Sequence, residues 1–172
     1  PTATTKPTAA ANPTAATNPT AATTAGTGAR IAIGTVDRTE ITVDAEVPLV
    51  RIVRTFDAPP AKVFRAHVDP ELLVQWNGPL DTTMRVEHFD ARTGGSYRYV
   101  HTTSSGFEAA FMGSFHEIRP HELIVQTFTY EGMPDHVALE KLRFEDLGGG
   151  RTRLVATLLV DSFADRDAFV AS

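Results

Sequence analysis

Apolar and polar side chains alternate along most of the chain from residue 49 onward. In residues 49–56, Val50, Ile52 and Phe56 fall on one side of an extended chain. The same period of two recurs later and predicts strands at 82–89, 95–102, 107–118, 122–131, 137–146 and 151–160. Short stretches rich in Gly, Pro and Ser separate these runs, so neighbouring strands are expected to pair antiparallel.

Three helices are predicted where this alternation stops and N-terminal signals appear. Pro60 suits the first position of a helix, and Asp69 followed by proline marks the start of a second one. The second helix is expected to bury Trp76 as its anchor. Ser162, with Asp165 three residues later, resembles a capping box that opens a last helix. The resulting order is one strand, two short helices, six strands and a final helix.

The first 47 residues differ in composition from the rest. Residues 1–29 consist almost entirely of Pro, Thr and Ala in a six-residue period. They predict a disordered tail, because no large apolar side chain offsets the entropy of ordering. Residues 30–47 form a transition segment with two short alternating stretches, which could add an edge to the sheet or drape over it. Residues 48–172 then make up the folded domain.

Charge and composition exclude several functional classes. Lys and Arg total 16 against 21 Asp and Glu, a net charge of −5, which argues against nucleic-acid binding. The chain has no cysteine, so disulfides and thiol catalysis are excluded. No apolar run reaches the ~20 residues that span a bilayer, so no membrane partner is predicted and a cytoplasmic location is the default. The six histidines show no metal-ligand spacing, and neither a metal nor another cofactor is predicted.

The positions most informative about chemistry are polar or aromatic residues at strand positions that are expected to face inward. Glu140 shares its parity with Leu142 and Phe144, and a carboxylate there is costly unless it is paired or solvated in a cavity. The pattern predicts an apolar cleft for a small molecule, with the candidate lining Trp76, Tyr97, Tyr99, His101, Gln126, Phe128, Tyr130 and Glu140. In the alternative interpretation the aromatic residues are core packing and Glu140 lies in water near a strand end. Parity leaves residues 107–118 undecided, because their large apolar side chains fall on both faces.

A series of motifs occurs in order between residues 36 and 172. They are TFDAPPAKVFRA (55–66), DPEL (69–72), WNGP (76–79), ARTGGSYRY (91–99), FMGSF (111–115), LRFEDLG (142–148) and DSF (161–163). The series resembles the family of homologues of the activator of heat shock protein 90 ATPase, within the START/SRPBCC superfamily. The resemblance implies an α+β helix-grip fold: a curved antiparallel sheet of six to seven strands, two short helices after the first strand, and a C-terminal helix.

Two features depart from the family pattern. Members often carry a second Trp before the Gly-Pro pair, whereas Asn77 follows Trp76 here. The family's last helix is long and crosses the concave face of the sheet, whereas this one is expected to end after about three turns. A truncated helix would leave that face under-covered. We therefore expect that the chain self-associates as a homodimer, that residues 30–47 fold over the gap, or that the natural protein continues.

The resemblance implies three kinds of function. The first is the binding of a small apolar molecule between the sheet and the last helix. The second is a cyclase- or hydrolase-like enzyme, in which Glu140 with His101 or Tyr99 would supply acid and base. The third is a co-chaperone that stimulates a heat-shock ATPase. Against this third function, such activators use a second module, which a lone domain lacks.

Overall fold

A computed structural model describes residues 30–36 and 39–171, with side chains from residue 39 onward. The elements are β1 (Arg30–Val36), β2 (Thr39–Asp44), β3 (Leu49–Phe56), α1 (Pro60–Val68), α2 (Pro70–Leu73), β4 (Thr82–Phe89), β5 (Ser96–Thr103), β6 (Glu108–Arg119), β7 (Leu123–Tyr130), β8 (Ala138–Gly148), β9 (Arg151–Leu159) and α3 (Phe163–Ala171). The predicted tail, residues 1–29, lies outside the described residues.

The described strands form one antiparallel sheet in the order β1-β2-β3-β9-β8-β7-β6-β5-β4. The predicted α+β helix-grip fold is confirmed, but the sheet has nine strands rather than six to seven. The two extra strands come from residues 30–47, because β1 pairs with β2 and β2 pairs with β3. The transition segment therefore extends the edge of the sheet, and the expectation that it folds over the concave face is wrong.

The register of the strands places a polar pair within an otherwise apolar row on the inner face. The row runs across the sheet through the paired positions Val43, Val50, Leu158, Glu140, Gln126 and Phe115. A bulge in β6 lies between Phe115 and Glu117, where the pairing with β7 shifts register. Because a bulge reverses the facing of later residues, Phe115 and Ile118 both pack into the core. This reversal is the reason that parity left residues 107–118 undecided.

The first two helices cover one end of the inner face. Helix α1 begins at Pro60 as predicted and buries Val63 and Phe64. The buried Thr152 hydroxyl of β9 donates to the Ala58 carbonyl oxygen at 2.6 Å, which fixes the chain just before α1. At the start of α2, the Asp69 side chain accepts from a backbone N–H as an N-cap.

The prediction that Trp76 is a buried anchor of the second helix is wrong. Helix α2 makes a single turn and ends at Leu73, so Trp76 lies in the turn that follows it. Its side chain is 43% exposed, and its indole N–H donates to the Ala66 carbonyl oxygen at 2.9 Å. The helix buries only Leu73. A single turn is too short to include Trp76, which lies three positions after Leu73, in the face that it buries.

The C-terminal helix packs on the opposite end of the inner face. The Ser162 hydroxyl accepts from the Asp165 backbone N–H at 3.1 Å, as the capping box predicts. The reciprocal bond differs from the motif, because the Asp165 carboxylate accepts from the Ser162 hydroxyl at 2.6 Å. Phe169 and Val170 pack against the cluster formed by Val43, Val50, Ala138 and Leu158. Strand β2 thus supplies part of the surface on which α3 lies. Whether the chain self-associates stays a prediction.

Candidate functional site

A cavity of about 300 Å³ lies between the inner face of the sheet, helices α1 and α2, the turn after α2, and α3. All eight residues predicted to line a cleft border it: Trp76, Tyr97, Tyr99, His101, Gln126, Phe128, Tyr130 and Glu140. The structure therefore brings the complete predicted set together. That these residues bind a ligand stays a prediction.

The polar centre of the cavity is a pair formed by Glu140 and Gln126. The two residues are directly paired neighbours on β8 and β7, and the Gln126 amide donates to a Glu140 carboxylate oxygen at 2.7 Å. Burial raises the pKa of the Glu140 carboxyl, and the hydrogen bond from Gln126 opposes that rise. Glu140 is the third residue of β8, so it does lie near a strand end, and its half-buried side chain lines the cavity.

Two tyrosines of β5 lie beside this pair. Tyr97 crosses β6 where Gly113 leaves room, because a Cβ on Gly113 would lie 2.5 Å from the Tyr97 hydroxyl. The phenol then donates to the Thr127 carbonyl oxygen of β7 at 2.8 Å. The Tyr97 and Tyr99 rings stack with centroids 5.8 Å apart and an angle of 10°. The pKa of each phenol is raised, mainly by burial and further by the negative charge of Glu140.

Further aromatic rings form the wall on β6 and β7. Phe111 stacks on Phe128 with centroids 5.3 Å apart and an angle of 17°. Tyr130 packs against the same phenylalanine, Phe111, at 5.3 Å, and Tyr99 approaches it at 5.6 Å from the other side. Trp76 lies at the opposite side of the cavity, with its ring 4.8 Å from that of His67. The lining is therefore mostly apolar and rich in aromatic rings, with one carboxyl–amide pair on the sheet.

The two histidines of the cavity are held in place and uncharged at neutral pH. Burial lowers the pKa of His67, whose Nδ1 lies 2.8 Å from the Val63 carbonyl oxygen, a contact that opposes the shift. Burial also lowers the pKa of His101. Gly78 lies directly over the His101 ring with φ +107°, and a Cβ there would lie 2.2 Å from a ring carbon. Burial raises the pKa of Tyr99 and the negative charge of Glu140 adds to that rise, whereas the cause of the shift for His101 is burial.

A family profile described as "Activator of Hsp90 ATPase homolog 1-like protein" matches residues 57–170. The chain belongs to this family. The resemblance noted from the motifs is thereby confirmed, and the matched region runs from the end of β3 into α3. Among curated proteins, no relative matches the chain.

Solved structures from several bacteria share the fold of this Activator of Hsp90 ATPase homolog 1-like domain. A Chromobacterium violaceum protein is 29% identical, with a TM-score of 0.62, over 67% of this chain and 81% of its own. A Rhodobacter sphaeroides protein is 26% identical, with a TM-score of 0.65, over 72% and 80%. An Arthrobacter aurescens protein is 23% identical, with a TM-score of 0.70, over 76% of this chain and 79% of its own. At that identity the likeness shows the fold alone.

Sequence reasoning missed several lining residues outside the strands, notably His67, Asn77, Gly78 and Phe169. Asn77 stands where members of the family often carry a second Trp, and this departure was the available signal. In the structure its amide donates to the Met84 sulfur at 3.7 Å and hydrogen-bonds the Tyr99 phenol. A polar group thus replaces an aromatic one at the edge of the cavity.

Two further features bear on function in the part of the chain that the structure describes. Over those residues, no group of three or more His, Asp or Glu side chains is placed to hold a metal ion. No helix over the same residues is long and apolar enough to cross a bilayer.

Proposed function

We propose that this helix-grip domain binds a small, mainly apolar molecule in the cavity between its sheet and its helices. The observation that supports this most is a cavity of about 300 Å³ walled by aromatic side chains. Aromatic surface that faces such a space stays in contact with water, and removing apolar surface from water contributes about 25 cal/mol per Å². An apolar occupant would bury part of that surface.

The distribution of polar groups supports the same proposal. Small-molecule sites are mostly apolar with a few placed polar groups that orient the ligand. The Gln126–Glu140 pair supplies such a point on the sheet, and Asn77 supplies another on the turn after α2. A ligand with one polar end and an apolar body matches this arrangement.

A fluorescence titration with the neutral probe N-phenyl-1-naphthylamine tests the proposal. Ala156 lines the cavity, and Ala156→Phe would fill it. Val155, the next residue on β9, is not among the lining residues, so Val155→Phe adds the same ring outside the cavity. We expect the wild type and V155F to bind the probe and A156F to lose binding, with folding checked by circular dichroism.

Failure of the wild type to bind, or equal binding by A156F and V155F, would contradict ligand binding in this cavity. Native mass spectrometry of freshly purified protein gives an independent readout, because a retained small molecule would appear as added mass.

An enzymatic role is a second candidate, favoured by the raised pKa of the Glu140 carboxyl and by the Tyr99 phenol in the lining of the same cavity. Carboxyls with a raised pKa in a cavity serve as general acids or bases in enzymes. If Glu140 is such a group, Glu140→Gln abolishes hydrolysis of an aryl ester such as p-nitrophenyl butyrate while probe binding remains. Equal rates for the variant, the wild type and buffer would exclude this reaction.

A co-chaperone role rests on the family alone. It predicts that the purified chain raises the ATP hydrolysis rate of a heat-shock protein 90 chaperone. An unchanged rate at saturating protein would reject it.

A further inference from the structure

The cavity combines one carboxyl group with many aromatic faces and no cationic side chain among the described residues that line it. Glu140 lines the same cavity as the rings of Tyr97 and Tyr99. The π face of an aromatic ring carries partial negative charge and attracts ammonium groups. Both kinds of group thus favour positive charge in the same place.

Two hydrogen-bond donors of the cavity already have partners within the protein. The Gln126 amide donates to Glu140, and the Tyr97 hydroxyl donates to the Thr127 carbonyl oxygen. His67 and His101 have pKa values lowered by burial, so neither supplies a positive charge at neutral pH. An anionic ligand would therefore face Glu140 without a compensating cation, and the desolvation of its charge would remain unbalanced.

We infer that the cavity selects organic cations, in particular amines whose ammonium group binds the Glu140 carboxylate while an apolar body packs against the aromatic wall. This inference rests on the proposed ligand-binding function and names the class of ligand. The Gln126 amide stabilises the ionised carboxylate and so holds it ready for an ammonium donor. Where Glu140 is protonated in the empty cavity, binding of the ammonium group releases that proton to solvent.

Three probes with the same body separate the charge of the ligand from its shape: phenylbutylamine, phenylbutanol and phenylbutyrate. Each is titrated at neutral pH against the wild type, with displacement of N-phenyl-1-naphthylamine and emission of the single tryptophan, Trp76, as readouts. A hydrogen bond to a charged group adds enough free energy for about a tenfold preference or more. We expect the amine to bind most tightly, the alcohol about tenfold more weakly, and the carboxylate most weakly.

Two variants assign the preference to Glu140. Glu140→Gln keeps the shape of the side chain, so it should remove the advantage of the amine and leave the alcohol unchanged. Glu145→Gln is the matched control, because Glu145 lies on the same strand but pairs with Arg153 outside the cavity. This control should keep the wild-type order of the three probes.

The outcomes distinguish this inference from the proposed function on which it rests. If the neutral probe binds the wild type but the amine competes no better than the alcohol, the inference fails and the proposed function stands. The inference fails in the same way if E140Q keeps the preference for the amine. If neither the neutral probe nor any of the three compounds binds, both fail.

Discussion

Replacing Glu140 by Gln removes a carboxyl group from the inner face of the sheet and leaves the size of the side chain unchanged. The hydrogen bond from Gln126 can persist, because the amide of the new residue still offers a carbonyl oxygen as acceptor. What changes is the ability to carry a negative charge inside the cavity. The substitution therefore isolates the cost of ionising Glu140 in the folded protein.

The sign of the effect follows from the direction of the pKa shift. Burial raises the pKa of Glu140 above the ordinary value of 4.5. Below that value the carboxyl is protonated in both the folded and the unfolded chain, and ionisation does not affect stability. As the pH rises above it, the unfolded chain ionises first, so the free energy of unfolding falls until the pH passes the folded pKa. The wild type thus loses stability over this range, whereas E140Q does not.

The size of the effect is set by how far the pKa is raised. Each pH unit of difference between the folded and unfolded pKa corresponds to about 1.4 kcal/mol. We expect E140Q to have nearly constant stability relative to the wild type at acidic pH, and to gain stability relative to the wild type as the pH rises from the unfolded toward the folded pKa of Glu140.

Urea unfolding followed by far-ultraviolet circular dichroism measures this gain at a series of pH values. Glu122→Gln serves as the control, because Glu122 is exposed in the turn between β6 and β7. The control should follow the wild type at every pH. A difference between E140Q and the wild type that stays flat with pH, or that turns against E140Q as the pH rises, would refute the account of a buried, desolvated carboxyl.

Three further substitutions test the packing around the site by urea unfolding. Thr42→Val should raise the free energy of unfolding by about 1 kcal/mol, because the buried Thr42 hydroxyl has no hydrogen-bond partner among the side chains and backbone groups that the structure describes. A loss of stability would show that the hydroxyl does have a partner. Gly113→Ala should lower the free energy of unfolding by about 1–3 kcal/mol, since the new Cβ would lie 2.0 Å from the Thr127 carbonyl oxygen and would displace Tyr97. An unchanged stability would contradict that contact. Trp76→Ala should lower the free energy of unfolding by about 2 kcal/mol, roughly half the value for a buried ring, because Trp76 is partly exposed. A loss above about 3 kcal/mol would show that Trp76 contributes as much as a buried residue.

The strands and the sheet-borne part of the site were predictable because alternation fixes which residues share a face. The period of two alone places Tyr97, Tyr99 and His101 on one face of their strand. In the same way, Glu140 faces the cavity because it lies two positions from the inward-facing Leu142. The bulge in β6 was not predictable in this way, since an extra residue reverses parity without a change in composition.

Residues outside the sheet escaped prediction for a different reason. Periodicity orders residues within an element but does not orient a helix or a turn relative to the sheet. His67 and Asn77 reach the cavity through the packing of α1 and of the turn after α2, which depends on contacts distant in sequence. Trp76 was misplaced because the length of α2, a single turn, depends on that packing as well.

The polar pair in the inner row is hard to explain by folding alone. Val50 and Leu158 continue the row on one side and Phe115 on the other, so an apolar pair at positions 126 and 140 would suit the surroundings. Replacing buried polar or charged groups by apolar ones of similar volume is often neutral or stabilising. Because burial raises the pKa of Glu140, we expect this residue to lower the free energy of unfolding at neutral pH, with the hydrogen bond from Gln126 offsetting part of that loss. Departures from local packing rules concentrate at functional sites, and this one lies within the cavity to which the proposal assigns the ligand.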